Sequence, residues 1–191
     1  MSNSLITKNA LAVSLKRLTG EMNFDKITIA DITEECGLNR QTFYYHFADK
    51  FELLNWIYDN EAFALTKDIN VSNWNEKLKK FMQHMRRDKQ FYMSTIKCSD
   101  DYFEEYVYGI LKQLLLKAID DVSEITEALY LPKGGKRYLS EEEKDLLARF
   151  FSHALCGTII EWAMGGMIED ENELTDTLND LLFSILHSNI I

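Results

Sequence analysis

An all-α fold is predicted by three features of this 191-residue sequence. Apolar residues recur at helical spacing along most of its length, cap residues stand ahead of several of those runs, and the single proline, Pro132, falls between runs. The expected architecture is a three-helix head with a helix-turn-helix over residues 1–50, carried on a helical-bundle body over residues 51–191.

Leu11, Leu15 and Leu18 give the first helix its apolar stripe. Thr28 precedes the next apolar run and has Asp31 three residues later, a variant of the capping box that satisfies the free N–H groups of a helix start. Ile29, Ile32 and Cys36 share one face of that helix. Gly37 ends it, because glycine takes the left-handed conformation at least cost. Leu38 is placed to anchor the turn in the core. Asn39 is a good cap for a short helix over about residues 40–47, with Phe43 and Phe47 facing inward.

Arg40, Gln41, Thr42, Tyr44, Tyr45 and His46 then remain outward, with Lys50 just beyond. This is the layout of a helix-turn-helix that places its second helix in the DNA major groove. Arg40 and Gln41, in the first turn, have the donors to pair with guanine and adenine edges respectively. Thr42 suits a thymine methyl or a phosphate. Tyr44, Tyr45, His46 and Lys50 suit phosphate and sugar, contacts that position without specifying sequence. Blander readings stand beside these: either tyrosine could be core, Thr28 could be a plain cap, and His46 could be an ordinary surface histidine.

Residues 7–56 resemble the DNA-binding domain of the TetR family of bacterial transcription regulators. The resemblance rests on the first-helix leucines, on Phe24-Asp25-Lys26-Ile27-Thr28, on Cys36-Gly37-Leu38-Asn39, on Thr42-Phe43-Tyr44-Tyr45-His46-Phe47 with Asp49-Lys50, and on Leu53-Leu54. It implies a DNA-binding head on a helical body that dimerises and often takes a small effector. It assigns groove contacts to Arg40, Gln41, Thr42 and Tyr45, and phosphate contacts to Thr28, Tyr44, His46 and Lys50. Ala30 stands where some members carry a basic residue, and Asp31, Glu34 and Glu35 make the first motif helix acidic, so base reading is expected from the second helix alone. The wording from Asn39 to Lys50, with the run ending at Tyr58, is also similar to a branch that includes regulators of dihydroxyacetone kinase operons, which can act as activators with a protein co-regulator. Repression of a palindromic operator by a homodimer, relieved by an effector, is the outcome the family as a whole makes the expectation; activation with a partner protein is the alternative.

Charge supports a DNA-facing head. The net charge is −10, yet residues 1–50 hold six Lys/Arg against six Asp/Glu, and residues 51–191 hold 15 against 25. A neutral head on an acidic body lets only the head approach phosphate. Cys36, Cys98 and Cys156 form no Cys-x-x-Cys pair, which reads as a reduced, cytoplasmic protein. There is no basic-then-apolar leader and no run approaching the ~20 apolar residues of a membrane span.

In the body, helices are expected over Lys50–Thr66, over Trp74–Arg87 with Leu78, Phe81, Met82 and Met85 inward, and from a cap at Asp88 to about Ile96. A long helix over residues 101–129 should bury Tyr102, Phe103, Tyr106, Ile110, Leu114, Ala118 and Ile119. Pro132 and residues 133–137 read as a mobile loop. Ser140 with Glu143 is a second capping box, opening a helix to about Met164 that carries the small residues Ala148, Ala154, Gly157 and Ala163 and stops at Gly165-Gly166. The last helix, over residues 172–187, is leucine-rich. By the family resemblance these two helices make the dimer interface, with Phe150, Ala154, Gly157, Glu161, Leu178, Leu182 and Ile185 as candidates; packing within one chain is the other reading.

The aromatic middle of the body also has two readings. Trp74, Phe81, Met85, Tyr92, Tyr102, Phe103 and Tyr106 could line an effector cavity, though aromatic stripes commonly just fill helical bundles, and ordinary core is preferred. No cofactor, metal or catalytic motif is read: the four histidines are scattered, and His153 with Cys156 lacks a third ligand and is expected to be a buried pair. An enzyme, or an adaptor working by protein contacts alone, is the competing class.

Overall fold

The computed structural model describes residues 3–66, 69–70, 72–98, 101–126, 129–130, 136–137 and 139–187. Helix α1 (Asn3–Thr19) buries Leu11, Leu15 and Leu18, and Lys16 and Arg17 in its last turn complement the helix dipole. A 3-10 turn (Phe24–Lys26) follows, then α2 (Ile29–Glu35) and α3 (Arg40–His46), which close the head around Phe24, Ile27, Ile32, Phe43 and Phe47, all buried. Burial of each such side chain contributes about 1.5–3 kcal/mol.

Helix α4 (Lys50–Thr66) runs from the head into the body, and α5 (Trp74–Arg87) has the bounds its periodicity predicts. Helix α6 (Lys89–Thr95) begins after Asp88, as expected, but the Asp88 side chain makes no cap hydrogen bond. A 3-10 turn (Ile96–Cys98) precedes α7 (Tyr102–Thr126). The buried face of α7 is Phe103, Val107, Leu111, Leu114, Leu115, Ala118 and Ile119. Tyr102, Tyr106 and Ile110 are only half-buried, a correction to the predicted stripe: α8 covers α7 more extensively than any other element does, and it selects a face rotated from the one read in the sequence.

The expected loop at 133–137 is corrected in part. Leu129–Tyr130 (β1) and Lys136–Arg137 (β2) pair antiparallel, Leu129 opposite Arg137 and Tyr130 opposite Lys136, while 131–135 with Pro132 lie outside the described residues. Helix α8 (Glu141–Met164) opens on the predicted capping box, with Glu143 N–H donating to Ser140 Oγ at 3.2 Å and Ser140 N–H donating to the Glu143 carboxylate at 2.9 Å. Gly166, at φ +88°, lies in the left-handed region as the helix stops. Helix α9 (Glu171–His187) packs on α5.

One apolar cluster runs from Leu11 in the head to Leu182 in α9. At its centre the Tyr58 ring lies 5.0 Å from Phe103, 5.9 Å from Phe91 and 6.1 Å from Tyr92, and its hydroxyl donates to Thr95 Oγ1 at 2.7 Å. Among the described residues the fold is all-α apart from the two-residue strands, and no described helix is long and apolar enough to cross a membrane.

Candidate nucleic-acid interface

The second motif helix is held by local chemistry at both ends. The Asn39 carboxamide oxygen accepts from Thr42 N–H at 2.7 Å and from the Thr42 hydroxyl at 3.0 Å, closing the N-terminus of α3. Phe43 and Phe47 pin its inner face, their rings 5.9 Å apart. Ahead of it Gly37 takes φ +67°, and Leu38 N–H donates to Thr33 C=O at 2.8 Å. A Cβ on Gly37 would meet nothing within 4 Å, so glycine is required there by backbone conformation rather than by space.

With two turns fixed this way, the outward set follows. Arg40, Gln41, Tyr44 and Tyr45 are exposed; Thr42 and His46 are half-buried. Neither tyrosine is core: Tyr44 is 58% exposed and Tyr45 82%, and the Tyr45 ring meets His46 edge-on at 4.9 Å. Four side chains with groove-compatible chemistry therefore converge on one exposed surface.

Thr28 is committed within its own helix start. Its backbone N–H and hydroxyl both donate to Asp31 Oδ2, at 2.8 and 2.7 Å, and its hydroxyl oxygen accepts from Asp31 N–H at 3.2 Å. The Thr28 side chain first, then its backbone N–H, hold the Asp31 carboxyl below the usual range. A charged carboxylate thus stands beside the hydroxyl that the family pattern assigns to phosphate.

Lys50 is committed too. Its ammonium donates to Phe24 C=O at 2.9 Å, to Asp25 C=O at 3.0 Å and to Ile27 C=O at 3.0 Å, and it sits 4.7 Å from the Phe24 ring centroid. All three ammonium donors are used, so in this structure Lys50 is a staple between the start of α4 and the turn before α2. Arg17 pairs with Glu35 and Glu21, and Lys16 with Glu61 and Asp88. Of the six head cations, three are thereby engaged within the protein. Lys8, which the motif reading passed over, stands 5.0 Å over the Phe47 ring and 5.7 Å over Trp56, bringing a positive charge to the far end of α3. Local sequence carries no sign of this placement, because α1 and α3 meet only in the folded head.

In the body, a partly open apolar pocket is lined by Ile69, Trp74, Lys77, Leu78 and Phe81 and by Val107, Ile110, Leu111, Leu114 and Ile159. Of the seven residues read as a possible pocket, Trp74 and Phe81 line it. Met85, Tyr92 and Phe103 are buried in the core, and Tyr102 and Tyr106 are half-buried outside the cavity wall. Tyr102 instead donates its hydroxyl to the Asp59 carboxylate at 3.0 Å.

On α8, Leu146, Phe150, Ala154, Gly157 and Glu161 are exposed along one face; on α9, Leu181 is exposed, Leu178 half-buried and Leu182 buried within the chain. The Ile185 side chain lies outside the described residues. The buried His153–Cys156 pair is corrected: His153 is exposed and stacks on Tyr108 at 4.3 Å, while Cys156 is buried with its thiol pushed up to about 12 by burial and then by Glu104.

A family model of bacterial regulatory proteins of the tetR family matches residues 14–57, and a model of the transcriptional regulator C-terminal region matches residues 72–184. The HTH-type dhaKLM operon transcriptional activator DhaS of Lactococcus lactis subsp. lactis (strain IL1403) is 28% identical over 167 residues, 87% of this chain and 84% of that protein. The solved structure of a dihydroxyacetone kinase operon activator DhaS matches at TM-score 0.73 and 26% identity, covering 94% of this chain and 96% of its own. The fold is shared with FadR of Thermus thermophilus, a TetR-family repressor solved with lauroyl-CoA, at TM-score 0.61 and 12% identity over 93% of each chain. With models matching both its head and its body, the chain belongs to the TetR family of bacterial transcriptional regulators and is not an enzyme.

Proposed function

We propose that this chain is a homodimeric, sequence-specific activator that reads a palindromic operator through α3. The observation that carries the reading is the exposed set on the capped, phenylalanine-pinned α3. Arg40 and Gln41 read base edges from its first turn, Thr42 and Tyr45 follow them into the groove, and Tyr44 and His46 contact the backbone. Lys8 takes the backbone role that the resemblance assigned to Lys50, whose donors are committed. Activation is favoured over repression by the DhaS relatives, both described as activators.

Dimerisation is supported by the face of α8 and α9. Phe150 is 66% exposed, Leu146 57% and Leu181 55%, and the exposed Ala154 and Gly157 between them allow close helix approach. A two-fold copy would cover this surface and give two recognition helices for two half-sites about 34–36 Å apart. The effector reading is a small apolar molecule in the cavity between α5 and α7, a site with nearly all its lining apolar. A protein co-regulator, the second reading, would need no cavity.

The test is fluorescence-anisotropy titration against a duplex selected from random DNA by the wild-type protein, with a scrambled duplex as control. Arg40→Ala with Gln41→Ala is expected to remove about 1–3 kcal/mol of discrimination per contact while circular dichroism stays unchanged. Retained preference in the double variant would sink the base-reading assignment. The logarithmic salt slope should be shallow, because three of the six head cations are engaged within the protein.

A further inference from the structure

We infer that an ion cluster between α1 and the body sets the angle at which the head is carried, making Lys16, Glu61 and Asp88 positioning residues for operator recognition, an inference that rests on the dimeric reading above. None of the three belongs to the recognition surface. The Lys16 ammonium, near the end of α1, pairs with Glu61 on α4 and with Asp88 at the corner between α5 and α6, and it lies 5.0 Å over the Phe91 ring. The Tyr92 hydroxyl, on α6, donates to Glu61 at 2.6 Å. His84 Nε2, on α5, stands 3.0 Å from Glu61 and 3.8 Å from Asp88. Side chains from α1, α5 and α6 thus converge on the Glu61 carboxylate of α4.

Two observations separate this cluster from an ordinary surface ion pair. It is shielded: the Lys16 and Glu61 side chains are 19% and 15% exposed, so solvent screens them less than a fully exposed pair. It also joins elements distant in the chain: Asp88, which ends α5 and begins α6 and makes no cap hydrogen bond, pairs its carboxylate with Lys16 of α1. Glu61, His84 and Asp88 lie close enough to share a cation. The Lys16 ammonium already supplies positive charge between the two carboxylates.

The geometry makes the cluster a hinge stop. The head also touches α6 where Phe24 N–H donates to Ser94 Oγ at 3.0 Å, and both contacts fix where α1 rests on the body. Helix α5 carries the cavity wall at Trp74, Leu78 and Phe81 and the cluster at His84, so a shift of α5 at its cavity end reaches Lys16. Loss of the stop should leave each head able to bind while spoiling the spacing between two heads.

The experiment compares the wild-type-selected duplex with the same duplex having one half scrambled. Lys16→Met keeps the stem over Phe91 and removes the charge. It is expected to lower affinity for the whole duplex about tenfold, the scale of a broken network contact, with half-scrambled affinity within twofold. Lys16→Arg should restore most of the loss. The triple variant Lys16→Met, Glu61→Gln, Asp88→Asn removes the unpaired carboxylates and should fold while keeping the whole-duplex defect. Equal loss on both duplexes, or none on either, overturns the positioning role. A wild-type protein that binds both duplexes equally overturns the two-half-site reading and this role with it. Hydrogen exchange tells the two failures apart without DNA: unchanged protection of α1 and α6 in Lys16→Met means the cluster itself holds nothing.

Discussion

Two helices of seven residues each, α3 and α6, start behind good cap residues, Asn39 and Asp88, and only one uses its cap. Asn39, at φ −98° and ψ 159°, has the extended backbone of a cap and closes α3 through Thr42 N–H. Asp88 ends α5 as it begins α6, at φ −103° and ψ 34° rather than the extended backbone of a cap, and its carboxylate pairs with Lys16, a cation 72 positions earlier in the chain. Packing holds both helices, through Phe43 and Phe47 for α3 and through Phe91, Tyr92 and Thr95 for α6, but only α3 is also closed by its own cap. The reading helix must present the same outward set whatever the body does, and local determination secures that. The body helix transmits contacts between distant elements, and tertiary determination suits it to that.

Substitutions can break this contrast, beginning with the largest effect. Phe43→Ala, at a fully buried position, should cost about 3–5 kcal/mol in urea unfolding and abolish duplex binding, since α3 has few other anchors. Gly37→Ala should cost about 1–2 kcal/mol for its left-handed backbone although space is open around it. A loss within experimental error would show that the turn relaxes. Asn39→Ala should cost about 1 kcal/mol in every background. Asp88→Ala should destabilise the wild type, yet its cost should vanish or reverse in Lys16→Met, where Asp88 only repels Glu61. Additive costs in that cycle would return Asp88 to an ordinary cap.

The smallest effect is a pH dependence. Burial opposes ionisation of Glu61, but His84, the Lys16 ammonium and the Tyr92 hydroxyl together outweigh it and hold the carboxyl below the usual range. A depressed folded-state value means that stability is fully present above the unfolded value, about 4.3 for glutamate, and is lost as pH falls through the folded one. Protection of α1 from hydrogen exchange should therefore decline below the ordinary carboxylate range, and Glu61→Gln should flatten that decline.

Most of the fold was legible in the sequence, and for α2 and α3 so was the reason. Thr28, Gly37, Asn39, Phe43 and Phe47 lie within one or two turns of the groups they satisfy, so helix bounds and outward faces follow from spacing and capping alone. Helix α5 and the capping box of α8 were legible for the same reason. What tertiary structure decided involves partners distant in the chain. It placed the Lys50 ammonium on three carbonyls of the turn before α2, and it kept both Tyr44 and Tyr45 outside. It rotated the buried face of α7 under α8, and it built the pocket from α5, α7 and α8, taking only Trp74 and Phe81 from the aromatic set read in the sequence. Long cationic and aromatic side chains choose among partners within reach, and which partners are within reach is known only after the helices have packed.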